Sequence, residues 1–183
     1  MTAVAASRGR LLDLIKELGV VHGRVTLSSG IEADWYIDLR RISLHREAAP
    51  LVGRLLWSLT ADWRPDAVGG LTLGADPVAC AVLHAAGGSV DGFLVRKAQK
   101  AHGMQQQIEG PSVSGRRVLI VDDVSTTGES PLTAARAAEA AGATVAGVAL
   151  IADRGGVAAI RAAGYECRCL YALADLGLAA PAE

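Results

Sequence analysis

Short apolar runs alternate with helical patterns along most of this chain, and the alternation limits the possible folds more than any other feature. Apolar runs of strand length are followed by stretches in which apolar residues recur at helical spacing. The pattern predicts strands at 67–70, 92–96, 117–122, 144–151 and 166–171, and helices at 75–86, 131–141 and 156–163. A helix between two strands allows the chain to cross over and return in the same direction, as in right-handed βαβ units. We therefore expect an α/β fold with a mainly parallel central sheet flanked by helices.

The first third of the chain has a different pattern. An amphipathic helix is predicted at 7–18, where apolar residues recur at helical spacing before Gly19. Two short strands are predicted at 25–27 and 35–39, around a Ser-Ser-Gly turn, and a second helix at 46–61. We therefore expect a small strand pair ahead of the main sheet.

Composition and charge exclude several classes of function. Lys and Arg together number 18 against 19 Asp and Glu, and the formal net charge is −1. This balance argues against broad binding of nucleic acid or of a membrane surface. The three cysteines are too few for a disulfide framework. The amino terminus has no signal-peptide pattern and the longest apolar run is far shorter than a membrane span, so a cytoplasmic protein is expected.

Residues 118–130 combine an apolar strand, a polar turn and the start of a helix. Asp122 and Asp123 follow the apolar residues, and a turn rich in hydroxyl groups extends to Ser130. Backbone N–H groups at the start of a helix suit a phosphate, whereas paired carboxylates suit the vicinal hydroxyls of a sugar or a hydrated divalent cation. The segment therefore predicts a ribose 5-phosphate site, and it lacks the Gly-Lys-Ser/Thr of a P-loop. The alternative is an ordinary turn in which both Asp residues only cap the helix.

A long polar stretch at 97–116 interrupts the alternation. An insert of this length without secondary structure in a compact domain is usually a functional lid or disordered. Cationic side chains cluster at its beginning, namely Arg96, Lys97, Lys100 and His102. Such a cluster suits a highly anionic leaving group, and a solvated run of charges is the alternative.

These segments carry a resemblance to a known family. Residues 118–130 resemble the signature with which type I phosphoribosyltransferases bind phosphoribosylpyrophosphate (PRPP). The run Arg-Lys-x-x-Lys-x-His-Gly at 96–103 is similar to the catalytic loop of the orotate phosphoribosyltransferases within that family. Further segments agree with it in the family's order: Ser29-Gly30 with Trp35, Tyr36, Asp38 and Arg40, then the run 69–77, then Asp153-Arg154.

The resemblance implies transfer of ribose 5-phosphate from PRPP to orotate, with Mg²⁺ as cofactor. It also implies a type I phosphoribosyltransferase fold, with a single domain over 1–183 in which residues 1–44 contribute a small hood over the active site. A homodimer is implied, in which the loop at 97–110 is shared between subunits. Neither nucleic acid nor a membrane is expected as a partner.

Roles for individual residues follow from the same resemblance. Catalysis is assigned to Lys100, His102, Asp122 and Asp123. PRPP binding is assigned to these four together with Arg96, Lys97, Val124, Ser125, Thr126, Thr127, Gly128, Glu129 and Ser130. The pyrophosphate loop comprises Leu71, Thr72, Leu73 and Gly74, and orotate binding is assigned to Ser29, Gly30, Tyr36, Thr126 and Arg154. No side chain is assigned as a direct metal ligand, since Mg²⁺ would be held by PRPP and water near Asp122 and Asp123.

Two positions depart from the family's pattern. Ser28 and Leu73 stand where members often carry Lys, which changes the groups available to orotate and pyrophosphate. Two other functions remain open. A phosphoribosyltransferase for a purine or uracil would keep residues 122–130 but would need neither the loop at 96–102 nor Arg154. A non-catalytic, nucleotide-sensing regulator would show a basic nucleic-acid-binding face and no turnover of PRPP.

Overall fold

The computed structural model describes residues 3–26, 32–97 and 107–178. The strands of this part of the chain are β1 (Val20–Thr26), β2 (Glu32–Ile37), β3 (Ala67–Leu71), β4 (Asp91–Val95), β5 (Ile108–Glu109), β6 (Arg117–Ser125), β7 (Thr144–Asp153) and β8 (Cys167–Ala172). The helices are α1 (Ala3–Leu14), α2 (Arg40–Ser43), α3 (Ala48–Thr60), α4 (Ala75–Ala85), α5 (Glu129–Ala140) and α6 (Gly156–Ala162). A π-helical turn (Ile15–Gly19) follows α1, and a 3₁₀ turn (Ala61–Trp63) follows α3.

The main sheet confirms the predicted α/β class. Among the described residues it has the strand order β5-β4-β3-β6-β7-β8. All of its pairings are parallel except that of β5 with β4. The direction of the crossovers reverses between β3 and β6, so the carboxyl ends of these two strands border a crevice. Ligands of open α/β sheets bind at such a reversal point.

Two apolar cores cover the two faces of this sheet. Alternate residues of β6 point to opposite faces, as the pleat of a strand requires. Leu119 and Val121 join the core beneath α1, α3 and α4, whereas Val118 and Ile120 join the core beneath α5 and α6. All four are completely buried. This burial on both faces explains why the strand appears in the sequence as a continuous apolar run.

Several boundaries differ from the predictions. The strand predicted at 117–122 continues to Ser125, because Val124 and Ser125 still pair with Ala152 and Asp153 of β7. Asp122 and Asp123 therefore lie on a strand rather than opening a loop. The strand predicted at 35–39 ends at Ile37, and a short strand, β5, lies within the stretch predicted to lack secondary structure.

The hairpin of β1 and β2 forms a separate antiparallel sheet and confirms the predicted strand pair. Its base is closed by the backbone N–H of Asp38, which donates to the carbonyl of Gly19 over 2.9 Å. The division of the chain into one domain with a hood at 1–44 stays a prediction. None of the helices in the described ranges is long and apolar enough to cross a membrane.

Candidate active site

A polar cavity lies at the carboxyl ends of β3 and β6. Its volume is about 330 Å³. The lining residues come from five separate parts of the chain: Tyr36, Ile37, Asp38, Leu39, Arg40, Leu71, Thr72, Leu73, Gly74, Lys97, Asp122, Asp123, Val124, Ser130 and Arg154. A larger groove of about 1060 Å³ between α3 and α4 contains no predicted site residue. The smaller cavity is therefore the candidate active site, because it lies at the reversal point of the sheet and brings two adjacent carboxylates together with cationic groups.

The acid pair forms the floor of this cavity. Asp122 is 5% exposed, and its Oδ1 accepts a hydrogen bond from the N–H of Asp123 over 3.0 Å. Asp123 Oδ1 accepts from the N–H of Val124 over 2.7 Å. Burial raises the pKa of Asp122 to about 7, and the neighbouring charge of Asp123 adds to this effect. Burial also raises the pKa of Asp123, against the opposing effect of the nearby Arg40 guanidinium.

Neither acid caps a helix. The residue before α5 is Gly128, and no side chain caps that helix. Both carboxylates instead contact the backbone of their own strand and face the cavity. The alternative in which the two Asp residues serve only as caps is therefore wrong.

The loop at 71–74 packs directly on the acid pair. A Cβ atom on Gly74 would lie 2.9 Å from Asp123 Oδ1 and 3.2 Å from Asp122 Oδ1, so a larger residue there would displace the carboxylates. The peptide bond between Thr72 and Leu73 is cis, and the N–H of Thr72 donates to the carbonyl of Val95. The side chain of Leu73 is 73% exposed at the cavity mouth. An apolar surface therefore replaces the cation that the family often has there.

The turn after β6, residues 125–130, is called the phosphate loop here after its predicted role. Ser125 Oγ accepts a hydrogen bond from the N–H of Gly128 over 3.1 Å, and Gly128 has a φ of 80°, which favours glycine. The hydroxyl of Ser125 is thus committed to shaping the loop, whereas Ser130 lines the cavity. The backbone N–H groups of Thr126, Thr127 and Ser130 have no acceptor in the described part of the chain. These groups are available to an anion at the start of α5.

Arg154 also lines the cavity and follows β7 immediately. Its backbone N–H donates to the carbonyl of Ser125 over 2.8 Å, which ties it to the phosphate loop. Its Nε is buried and has no hydrogen-bond partner among the described residues. Burial lowers the pKa of Arg154, and the guanidinium lies over the ring of Trp35, with 5.2 Å from Cζ to the ring centroid. A half-buried guanidinium that has no carboxylate partner among the described residues is suited to an anionic ligand.

The hairpin supplies the remaining polar wall. Arg40 donates from Nε to Asp38 Oδ1 over 3.0 Å and from Nη2 to the hydroxyl of Tyr36 over 3.2 Å. The sequence pattern indicated these residues, but it gave no sign that Ile37 and Leu39 also line the cavity. It also missed the contact of Trp35 with Arg154, for which no local signal exists.

The predicted catalytic loop is described only at its ends. Lys97 lines the cavity, whereas Arg96 makes an ion pair with Glu109 over 3.3 Å. Arg96 and Gln107 also exchange hydrogen bonds, which close the base of the loop. Lys100, His102, Ser29 and Gly30 lie outside the described residues, so their roles stay predictions.

The acid pair fits a hydrated Mg²⁺. No cluster of three or more His, Cys, Asp or Glu side chains that could hold a metal occurs in the described ranges. Each carboxylate keeps its Oδ2 atom free of the backbone hydrogen bonds given above, and Gly74 leaves open the space that a Cβ atom would fill. Two carboxylates beside open space suit an ion that keeps most of its water and binds substrate oxygens.

Comparisons with known proteins agree with this geometry. Residues 40–172 match the family described as "Phosphoribosyl transferase domain". The orotate phosphoribosyltransferase of Streptomyces avermitilis is 60% identical over 177 residues, covering 93% of this chain and 97% of that protein. The crystal structure of the Mycobacterium tuberculosis H37Rv orotate phosphoribosyltransferase with Fe(III) dicitrate has a TM-score of 0.87 at 57% identity, covering 94% of this chain and 99% of the other. The same enzyme in complex with PRPP has a TM-score of 0.83 at 52% identity, with the same coverage. This chain belongs to the orotate phosphoribosyltransferases, within the family of phosphoribosyl transferase domains.

Proposed function

We propose that this protein transfers ribose 5-phosphate from PRPP to orotate, giving orotidine 5′-monophosphate and pyrophosphate in cytoplasmic pyrimidine nucleotide synthesis. One observation carries the proposal: an acid pair, the turn after β6 and a guanidinium that has no counter-ion among the described residues meet in a single cavity. The relatives named above support the choice of substrates, since they are orotate phosphoribosyltransferases and one of them binds PRPP.

The reaction exchanges one bond at the anomeric carbon of the sugar. The bond to the pyrophosphate oxygen breaks, and its electron pair leaves with pyrophosphate. N1 of orotate forms the new bond and loses its proton, and the released pyrophosphate takes up one proton, so the reaction balances. Positive charge therefore develops on the ribose ring, close to the carboxylates that bind its 2- and 3-hydroxyls, Asp122 and Asp123. Preorganised charge of this kind stabilises a transition state because it needs no rearrangement as the reaction proceeds.

The remaining walls bind the ends of the substrates. The N–H groups of Thr126, Thr127 and Ser130 hold the 5-phosphate, together with the hydroxyl of Ser130. The loop at 71–74 supplies the pyrophosphate subsite, and Mg²⁺, when bound through water near the acid pair, neutralises part of the pyrophosphate charge. Arg154 pairs with the carboxylate of orotate, with Tyr36 on the neighbouring wall.

The loop at 97–110 closes the site and excludes water, which would hydrolyse the activated sugar. Lys100 and His102 arrive with this loop, and one of them protonates the leaving pyrophosphate. The loop acts in the neighbouring subunit of a homodimer. The groove between α3 and α4, with Leu44 73% exposed at its edge, offers an apolar surface of the type that subunits bury.

Release of pyrophosphate from PRPP, measured against a panel of bases, tests this proposal. Orotate should be used and uracil and hypoxanthine should not, with discrimination in kcat/KM of about 10⁴ or more, because a wrong base leaves the half-buried Arg154 unpaired. Arg154→Met should remove this preference, whereas Arg136→Met, at an exposed position on α5, should leave it unchanged. Comparable kcat/KM for orotate and uracil in the wild type would contradict the assignment. Binding of PRPP without pyrophosphate release with any base would instead favour a regulator.

A further inference from the structure

Trp35 and Arg154 come from different sheets and meet at the edge of the active-site cavity. Trp35 belongs to β2 of the hairpin, and Arg154 follows β7 of the main sheet. The guanidinium carbon lies 5.2 Å from the centroid of the indole ring, which is within the range of a cation–π contact. The ring itself packs against the core that α1, α3 and α4 cover.

The indole contacts this guanidinium directly, and the nearby Tyr36 also acts on its charge. Arg154 is fixed at its backbone by the bond to Ser125, but its Nε has no acceptor among the described residues. None of the ion pairs in that part of the chain involves it. A long side chain fixed only at its backbone could adopt several rotamers, and most of them would turn the charge away from the cavity. The flat face of an indole favours a parallel guanidinium and so limits this freedom.

The position of Trp35 separates it from the residues that bind ligand directly. Tyr36, the next residue along β2, lines the cavity, whereas Trp35 does not. Successive side chains of a strand point to opposite faces, which explains the difference. The indole therefore stands behind Arg154 and can affect a base only through that side chain.

We propose that Trp35 is a positioning residue for base binding, whose indole ring holds the guanidinium of Arg154 towards the cavity so that it can pair with the carboxylate of the base. The inference rests on the proposed function, because it concerns the same site and the same acceptor. It adds a residue that selects the base without touching it. The position of the hairpin thereby contributes to the affinity for the base.

The test separates base affinity from the rest of catalysis. Trp35→Leu removes the aromatic face, and Trp35→Phe keeps one. We expect Trp35→Leu to raise KM for orotate by roughly tenfold, while KM for PRPP changes by less than about twofold, since a partly desolvated cation–π contact has about this effect. Trp35→Phe should recover most of the affinity for orotate. Trp57→Leu serves as the matched control, because Trp57 packs partly buried on α3 away from the cavity, and its KM for orotate should equal that of the wild type.

A double-mutant cycle with Arg154→Met identifies the path of the effect. If Trp35 acts through Arg154, Trp35→Leu should change KM for orotate by less than about twofold in the Arg154→Met background. An undiminished effect there, or equal losses for Phe and Leu at position 35, would overturn the inference. Trp35→Met replaces Trp35→Leu if the latter does not fold, since Met fills irregular spaces. A wild-type protein that releases no pyrophosphate with orotate would refute the proposed function itself. If the wild type is active but substitutions at position 35 leave KM for orotate unchanged, only the role of Trp35 is refuted.

Discussion

Replacing Asp122 by Asn is expected to stabilise the ligand-free protein while it removes most of its activity. The carboxylate is 5% exposed and adjoins a second carboxylate, and these surroundings raise its pKa to about 7. In the unfolded chain the pKa of an Asp is about 3.9. The folded protein therefore binds this proton more tightly than the unfolded chain does. Between about pH 4 and pH 7 the stability must decrease as the pH rises, because deprotonation then favours the unfolded state.

The size of this effect follows from the two pKa values. At about pH 8 the buried charge costs about 4 kcal/mol of unfolding free energy, and at about pH 4.5 it costs only about 1 kcal/mol. Asn keeps the shape of the side chain and can still accept the hydrogen bond from Asp123, but it carries no charge. Asp122→Asn should therefore be more stable than the wild type by up to about 4 kcal/mol at pH 8 and by about 1 kcal/mol at pH 4.5.

Urea unfolding of both proteins at the two pH values measures this difference. Asp13→Asn is the matched control, because Asp13 is exposed on α1, and its effect should be small and the same at both pH values. In the same preparations, kcat of Asp122→Asn should be lower by about 10²–10³-fold, the usual effect of losing one preorganised electrostatic group. A variant that is less stable than the wild type at pH 8, or equally stable at both pH values, would refute the argument that the site holds an unfavourable buried charge.

Three further results are expected. Gly74→Ala would place a Cβ atom 2.9 Å from Asp123 Oδ1, so the carboxylate or the loop must shift, and kcat/KM for PRPP should fall by about tenfold or more. A kcat/KM equal to that of the wild type in steady-state kinetics would contradict this. When protein carrying Lys100→Ala is mixed with protein carrying Asp122→Asn and Asp123→Asn, each heterodimer should contain one intact site, and activity should be recovered. Native mass spectrometry verifies that the subunits have exchanged. If they have exchanged and activity is not recovered, the loop acts in its own subunit. Tyr171→Phe removes a 2.7 Å hydrogen bond from the tyrosine hydroxyl to a backbone carbonyl of α1. The free energy of unfolding in urea should fall by about 1 kcal/mol while kcat stays unchanged. An unchanged urea midpoint would contradict a stabilising role for this bond.

Much of the site was predictable because its parts are short and local. The acids at 122–123, the hydroxyl-rich turn to Ser130 and the glycine at 74 follow buried strands directly, and the ends of parallel strands meet at one edge of a sheet. The position of Arg154 at that edge was predicted from the resemblance to the family, since an Arg at the end of a strand gives no such signal by itself. The structure brings these residues together around one cavity. Lys100 and His102 were predicted from the same kind of local pattern, and they stay predictions because they lie outside the described residues.

The sequence by itself determined the α/β class, the mainly parallel sheet and the position of the phosphate loop, because strand and helix periodicity and turn chemistry depend on neighbours in the chain. The tertiary structure alone decided that β6 continues to Ser125, since that extension depends on pairing with β7. It also decided that Gly74 packs on the two carboxylates and that Trp35 stands behind Arg154. These contacts join segments far apart in the chain, and their existence depends on how whole elements pack, which no local pattern records.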